Sequence, residues 1–244
     1  MSLLEFTSRL HDRAVALAPL LKFNKSFDKD GLPVCLYATL IELTGGVVVL
    51  VEAERKAAAS TVFRSFLEAY VELANYLSDP EYRNFGWATY YDKWLRIFKA
   101  SVNANPYLAL VAERVNENDL VKNYRAHLDT LAKRGYAPLT VFQRFQKAKM
   151  EDEYRSIYVL ASGWSHSDIS ALLQRHVIQK DETFELAIYK DLSKDDFNTI
   201  LDSVAALLLK ATVNIHERFK SDVTRELEQL NKELAVIRGS DEAE

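Results

Sequence analysis

Glycine and proline are scarce in this chain, whose 244 residues contain 7 Gly and 5 Pro. Sheet proteins and dinucleotide-binding folds use many glycines in turns and phosphate loops, so this scarcity disfavours both classes. Cys35 is the single cysteine, which excludes an intrachain disulfide and a thiolate zinc cluster. Acidic residues outnumber basic residues by 35 to 31, giving a net charge of -4. That balance excludes a generally basic protein that coats nucleic acid.

Familiar catalytic and metal-binding signatures are also missing from the sequence. It contains no glycine-rich phosphate loop, no His-Glu-x-x-His, no Gly-x-Ser-x-Gly and no paired-cysteine motif. No two of its histidines lie three or four residues apart, so a two-histidine metal site on one helix is not indicated. We therefore expect no metal and no cofactor.

No long uninterrupted apolar run is present in this sequence, and we expect no secretory leader. The amphipathic segment from Met1 to Leu21 lacks the basic start and apolar run of a signal peptide. The most apolar stretch, Val34 to Val51, carries Glu42 in its middle, and a charge there is costly in lipid. We interpret this stretch as a buried core helix, and we expect a cytoplasmic protein that does not bind a membrane.

Apolar residues recur at helical spacing along almost the whole chain. The pattern predicts an all-α protein, a single-domain bundle of six to eight helices over residues 1–238, followed by a frayed acidic tail over 239–244. The expected helices include 33–54, 56–77, 81–102, one helix from 138 to 165, and one long helix from 194 to 237. Alternation near 176–189, around a polar Lys180-Asp181-Glu182-Thr183, predicts one minor β-hairpin. We expect 33–54, 56–77 and 138–165 to form the centre.

Two features of these helices leave two interpretations each. Gly45-Gly46 either lets another helix approach closely or breaks the helix locally. Leu227, Leu230, Leu234 and Ile237 form either a short coiled-coil seam or the inner face of a helix that packs on its own bundle.

The most unusual pattern is a series of polar-tipped side chains spaced by four on one helix: Tyr154, Tyr158, Ser162 and His166. Such spacing produces one slanting stripe, and a stripe that faces the core needs hydrogen-bonding partners. Arg64 and Glu68, four apart among apolar neighbours, are the expected partners. The set is interpreted either as a buried network that specifies packing, or as a site. In the site, His166, Arg64 and Glu68 are catalytic, and Tyr154, Tyr158 and Ser162 bind the ligand.

Two blocks of sequence resemble the bacterial domain-of-unknown-function family 5677. The first runs from Phe63 to Leu77 and continues into Asp79-Pro80-Glu81, and it is similar to that family's Arg-Ser-Leu-x-Glu, Tyr-Leu and Asp-Pro-Glu pattern. The second runs from Tyr154 through Tyr158 and Ser162 to His166. The resemblance covers about 32 to 219. It implies an all-helical cytoplasmic protein and brings no assigned activity or catalytic residues.

A looser likeness connects the chain with the HEPN superfamily, helical bundles that include metal-independent ribonucleases of toxin and phage-defence systems. Those enzymes usually carry an Arg followed, four to six residues later, by a His. This sequence lacks that spacing. A nuclease would therefore need an Arg from elsewhere, with Arg64 and Arg155 as the alternatives.

Two functions follow from these observations. The first is a regulatory or interaction protein that acts through a protein partner or as a homodimer, with phage defence and stress response as its settings. The second is a HEPN-like metal-independent endoribonuclease that uses His166 and an Arg from another helix. RNA is a partner only under this second hypothesis.

Overall fold

Helices make up most of the structure, a computed structural model that describes residues 1–24, 30–102, 105–117, 119–188 and 195–239. The helices are α1 (Leu3–Leu17), α2 (Leu32–Glu52), α3 (Lys56–Ser78), α4 (Tyr82–Val102), α5 (Ala109–Glu117), α6 (Leu120–Lys133), α7 (Val141–Lys147), α8 (Glu151–Glu153), α9 (Val159–His166), α10 (Ile169–His176), α11 (Asp195–Arg218) and α12 (Thr224–Ile237). The all-α class and the minor hairpin are confirmed.

The chain divides into two compact units. One comprises Met1–Leu77 and Phe145–Glu244, and the other comprises Ser78–Arg144. The single domain over 1–238 stays a prediction. The expected acidic tail lies outside the described residues beyond Gly239.

In the first unit, α1, α2 and α11 pack against one another, and α12 packs on α11 and α1. Phe6, Leu10, Leu40, Val47, Leu208 and Ile215 are almost fully buried. We expected α2, α3 and the 138–165 segment at the centre, and α1 and α11 instead contribute much of this core. The apolar stripes of α1 and α11 repeat along the entire helix and so can be buried against α2 over its length.

Gly45 and Gly46 lie in an unbroken α2, so close approach is the correct interpretation of this pair. A side chain at Gly45 would meet His11 Nε2 of α1 at 2.9 Å, whereas one at Gly46 would meet Val62 Cγ1 of α3 at 3.6 Å. A side chain at Gly45 would therefore have to displace the His11 ring.

The expected single helix over 138–165 is wrong. Thr140 caps α7 as its hydroxyl accepts from Gln143 N at 3.3 Å, but α7 ends at Lys147. Lys149 adopts a left-handed backbone (φ 56°) and Met150 N donates to Phe145 O at 3.0 Å. This bond satisfies a carbonyl group at the C-terminal end of α7. Burial of the Met150 side chain offsets the conformational cost of the left-handed backbone at Lys149. The helical path then resumes at Glu151.

The expected single helix over 194–237 is also wrong. In the structure α11 ends at Arg218, and a separate helix, α12, begins at Thr224. Lys220 is left-handed (φ 51°), and Ser221 N donates to His216 O at 2.9 Å. The chain thereby reverses and α12 packs on its own unit. Leu227, Leu230 and Leu234 are buried there, so the packing alternative was correct.

The hairpin consists of β1 (Val177–Lys180) and β2 (Thr183–Leu186), antiparallel, with Val177 opposite Leu186 and Lys180 opposite Thr183. Its expected last residue, Tyr189, lies outside the described residues. The preceding helix α10 was missed at the sequence level, because it has only eight residues and buries only Ala171.

In the second unit, α4 packs on α6 through an aromatic cluster. Tyr91 stacks on His127 at 5.1 Å, and the Tyr90 and Tyr124 hydroxyls lie 3.3 Å apart. Gly135 (φ 88°) ends α6, as the sequence predicts.

By length and composition alone, α2 and the stretch Phe197–Arg218 could each cross a membrane. This is weak evidence, because the core helix of a soluble protein passes the same test. The absence of membrane binding stays a prediction.

Candidate functional site

The expected site residues lie on two helical segments of the first unit. Arg64 and Glu68 occupy neighbouring turns of α3. Tyr158 and His166 belong to a continuous helical segment, 151–166, in which a π-helical stretch, Tyr154–Tyr158, joins α8 to α9. A π turn widens the helix by one residue and often marks a functional site or a sequence under constraint.

Arg64, Tyr158 and Glu68 form a hydrogen-bonded chain between the two segments. Arg64 Nε donates to Tyr158 Oη at 3.2 Å, and the Tyr158 hydroxyl donates to Glu68 Oε1 at 2.8 Å. Arg64 Nε also lies 3.2 Å from Glu68 Oε1. The Tyr158 hydroxyl therefore sits between an anion and a cation and uses both its donor and its acceptor capacity.

His166 completes the cluster at the end of α9. Its Nε2 lies 2.8 Å from Arg64 Nη1. Since a guanidinium can only donate, Nε2 accepts this bond, which assigns a ring proton to Nδ1. The His166 side chain is exposed, whereas those of Arg64 and Glu68 are 24% and 33% exposed. The cluster thus runs from the surface at His166 to the buried Tyr158.

Tyr154 contacts this cluster through its ring. Its ring stacks on that of Tyr158 at 5.2 Å, and the buried Phe145 contacts both rings at 5.3 and 5.0 Å. Arg64 Cζ lies 5.5 Å from the Tyr158 ring centre, within reach of a cation–π interaction. Tyr158 is therefore held in place from three sides.

Ser162, the fourth member of the expected stripe, does not join the cluster. It is half-buried, and in the part of the chain that the structure describes its hydroxyl bonds to none of Arg64, Glu68, Tyr158 and His166. The π turn ends at Tyr158, so it shifts Tyr154 relative to the rest of the stripe, whereas Tyr158, Ser162 and His166 keep regular α-helical spacing. The Ser162 side chain is the shortest of these three.

Electrostatics follow from these contacts. Burial raises the pKa of the Tyr158 phenol, while its hydrogen bond from Arg64 opposes that rise. The hydrogen bond to Tyr158 raises the pKa of Arg64, and Glu68 adds to this effect. At neutral pH the phenol is therefore protonated and the guanidinium charged.

Chemically, the cluster offers an exposed imidazole beside a cationic guanidinium. An imidazole can move a proton and a guanidinium can stabilise an oxyanion or a phosphate, provided that the bond between them opens. Within the described ranges, no three His, Cys, Asp or Glu side chains converge to hold a metal ion.

Comparison with known proteins adds one finding. The sequence profile of a family of unknown function, DUF5677, matches residues 30–184, more than half of the chain. The protein belongs to this family. No curated protein and no solved structure matches the chain.

The DUF5677 match includes both resembling blocks and therefore the whole cluster from Arg64 to His166. It ends within β2, so α11 and α12 lie beyond it. The family confirms the resemblance that was drawn from the sequence. It assigns no activity, so the catalytic and binding roles of these residues stay predictions.

Two features of this DUF5677 member were missed at the sequence level. Asp168 caps α10 by accepting from Ala171 N at 2.7 Å, and its carboxylate lies over Gly163, where a side chain would meet Asp168 Oδ2 at 2.3 Å. The second feature is an exposed apolar face on α10. The Asp168 capping position and the apolar residues at i, i+3 and i+4 were signals that could have found this helix.

Proposed function

We propose that the protein is a cytoplasmic interaction or regulatory protein that acts by associating with a second copy of itself through α10 and the hairpin. The observation that carries this proposal is the apolar stripe of α10. Phage defence and stress response stay predictions about its setting.

The stripe consists of Ile169, Leu172 and Leu173, which share one helix face at i, i+3 and i+4. Their exposed fractions are 77%, 42% and 54%. Scattered apolar residues on a surface need no explanation, but three on one face of an eight-residue helix form a patch of the kind that marks a protein interface. A helix that buries so little in its own unit gains its apolar burial from a partner.

The hairpin adds exposed apolar residues next to this helix. Phe184 and Leu186 alternate along β2 and are exposed, and the described strands pair only with each other. A two-stranded sheet of this kind is marginally stable alone, and its open edges are templates for a further strand.

Charge permits a second copy as the occupant. In an antiparallel two-fold pairing of β2 with β2 of another copy, Phe184 would lie opposite Glu185 and Thr183 would lie opposite Leu186. Glu185 is the only charged residue of β2, so this register places no two like charges opposite each other.

The Arg64 cluster has a defined part in this proposal. It fixes 151–166 on α3, and α10 begins three residues after His166 with Asp168 as its cap. The cluster therefore sets the direction in which α10 presents its apolar face, as a polar network that specifies packing.

Sedimentation equilibrium over a range of protein concentrations tests the proposal. We expect a dimer for the wild type and a monomer for Leu173→Asp, because a carboxylate in the interface core would lose its solvation. Ser170→Asp is the matched control: Ser170 is an exposed residue of the same helix outside the stripe, and its variant should remain dimeric. A monomeric wild type at all concentrations, or equal effects of both variants, would overturn the proposal, even if another protein bound this face.

A metal-independent endoribonuclease is the second candidate, and the 2.8 Å contact between Arg64 Nη1 and His166 Nε2 favours it. In that reaction His166 would take the proton of an RNA 2′-hydroxyl, and the 2′-oxygen would attack phosphorus. The 5′-oxygen would leave and take up a proton, and Arg64 would stabilise the charge on the phosphorane. His166 would first have to release its bond to Arg64.

This candidate predicts that expression arrests growth and that purified protein cleaves RNA in the presence of a chelator. His166→Ala and Arg64→Ala should abolish both effects. Arg155→Ala, which removes an exposed arginine of the same helical segment as His166, should abolish neither. Uncut RNA, or toxicity that survives His166→Ala, would contradict it.

A further inference from the structure

A cavity of about 540 Å³ lies beside the turn between α2 and α3. Its polar and aromatic lining comes from three places: that turn, the end of α9 and the end of α10. The lining residues include Arg55, Lys56, Trp164, Ser165, Arg175 and His176. Its volume falls in the range of sites for small molecules.

Positive charge predominates in this lining. Arg55, Lys56 and Arg175 contribute three cations, and Glu54 contributes a carboxylate. Arg175 is half-buried and, in the ranges that the structure describes, has neither an ion pair nor a side-chain hydrogen bond. A half-buried guanidinium without an ion pair, in a lining where cations outnumber the Glu54 carboxylate, favours an anionic ligand, and its paired N–H groups match the geometry of a phosphate.

Two other side chains provide contacts of different chemistry. His176 Nδ1 lies 3.0 Å from the Ala187 carbonyl and donates to it, which leaves Nε2 as the ring's second polar atom. Trp164 is half-buried, and Lys56 Nζ lies 5.2 Å from its ring centre. An indole beside a cation suits a planar ring that carries a phosphate.

We infer that this cavity binds a mononucleotide. Arg175 pairs with the phosphate, Lys56 and Arg55 add charge, and the base lies against Trp164. The first N–H groups of α3, at Lys56 and Ala57, add a positive helix terminus on the same side. This inference does not depend on self-association or on ribonuclease activity.

Titration calorimetry with adenosine monophosphate tests it on the whole chain. We expect saturable binding that inorganic phosphate competes away and that adenosine alone reproduces only weakly. Arg175→Gln should weaken binding by about tenfold or more, because a charge-assisted pair is lost. Arg218→Gln, which removes the same charge from an exposed position outside the cavity, is the control and should bind as the wild type does.

A second variant, Trp164→Phe, locates the base. It should weaken the binding of adenosine monophosphate more than that of phosphate. The inference is overturned if the wild type shows no saturable binding, if Arg175→Gln and Arg218→Gln have equal effects, or if adenosine binds as tightly as its phosphate.

Discussion

Arg64 Nη1 of α3 donates to His166 Nε2 at the end of α9, across 2.8 Å and 102 residues of chain. The contact joins the two sequence blocks that place the chain in its family. It also fixes a chemical state, because a nitrogen that accepts from a guanidinium cannot carry a proton.

The first prediction concerns that state. At a pH at which the His166 ring is neutral, its proton should reside on Nδ1, whereas a free neutral imidazole prefers Nε2. The ring nitrogen chemical shifts of labelled protein report this directly. Arg64→Ala should return His166 to the ordinary tautomer. An Nε2–H ring in the wild type would contradict the contact.

Tyr158→Phe should destabilise the fold by roughly 1–3 kcal/mol. The change removes the hydroxyl that bridges Arg64 and Glu68. The guanidinium and the carboxylate, both partly buried, each lose one hydrogen bond. Urea unfolding measures this loss. Tyr107→Phe is the control, because Tyr107 is 94% exposed and its variant should stay within about 0.5 kcal/mol of the wild type. Equal stabilities for all three proteins would show that the bridge contributes nothing.

Adjacent glycines of α2 should respond differently to alanine. Gly46→Ala meets only an ordinary contact with Val62 and should stabilise the helix by about 0.5–1 kcal/mol. Gly45→Ala must displace His11 and should lose that gain or destabilise the protein. Thermal unfolding of the two variants checks this, and an equal rise in Tm for both would contradict the close approach of α1.

His216 should make the stability depend on pH. It is 1% exposed, its ring nitrogens have no hydrogen-bond partner among the described residues, and Tyr37 contacts it edge-on. Burial lowers the pKa of His216 from 6.5, although Glu226 opposes this shift. The unfolded chain therefore binds a proton that the folded protein does not, so stability falls as pH drops below about 6.5.

The slope for one such proton reaches at most about 1.4 kcal/mol per pH unit. Urea unfolding at a series of pH values should show a shallower dependence for His216→Leu than for the wild type. His216→Gln, which also cannot titrate in this range, should give the same shallower slope. Parallel curves for the wild type and both variants would refute the assignment to His216.

Much of the fold could be predicted from the periodicity of apolar residues and from residues that favour helix starts and ends. Gly135 and Thr140 have the residue types that helix ends and starts require, and both act as such. The breaks at Lys149 and Lys220 could not be predicted, because lysine carries no signal for a left-handed backbone. Tertiary burial of Met150 and of the α12 leucines decides both turns.

The candidate site was predictable in part for a similar reason. The spacing by four predicted that Tyr158 and His166 share one stripe. The apolar neighbours of Arg64 and Glu68 indicated that these two residues are its tertiary partners. Ser162 was included on spacing alone, although its side chain is shorter than those of Tyr158 and His166, and the π turn at Tyr154–Tyr158 changes the helix phase only before Ser162. The cavity could not be predicted, because Arg55 and Arg175 meet only through the fold.

Hydrogen–deuterium exchange at several protein concentrations tests the association through α10 most directly. The account predicts that amides of 169–176 and 183–186 exchange more slowly as concentration rises, because a second copy covers them. Leu173→Asp should abolish this dependence. Exchange in these segments that is the same at every concentration, together with a monomeric mass, would contradict it.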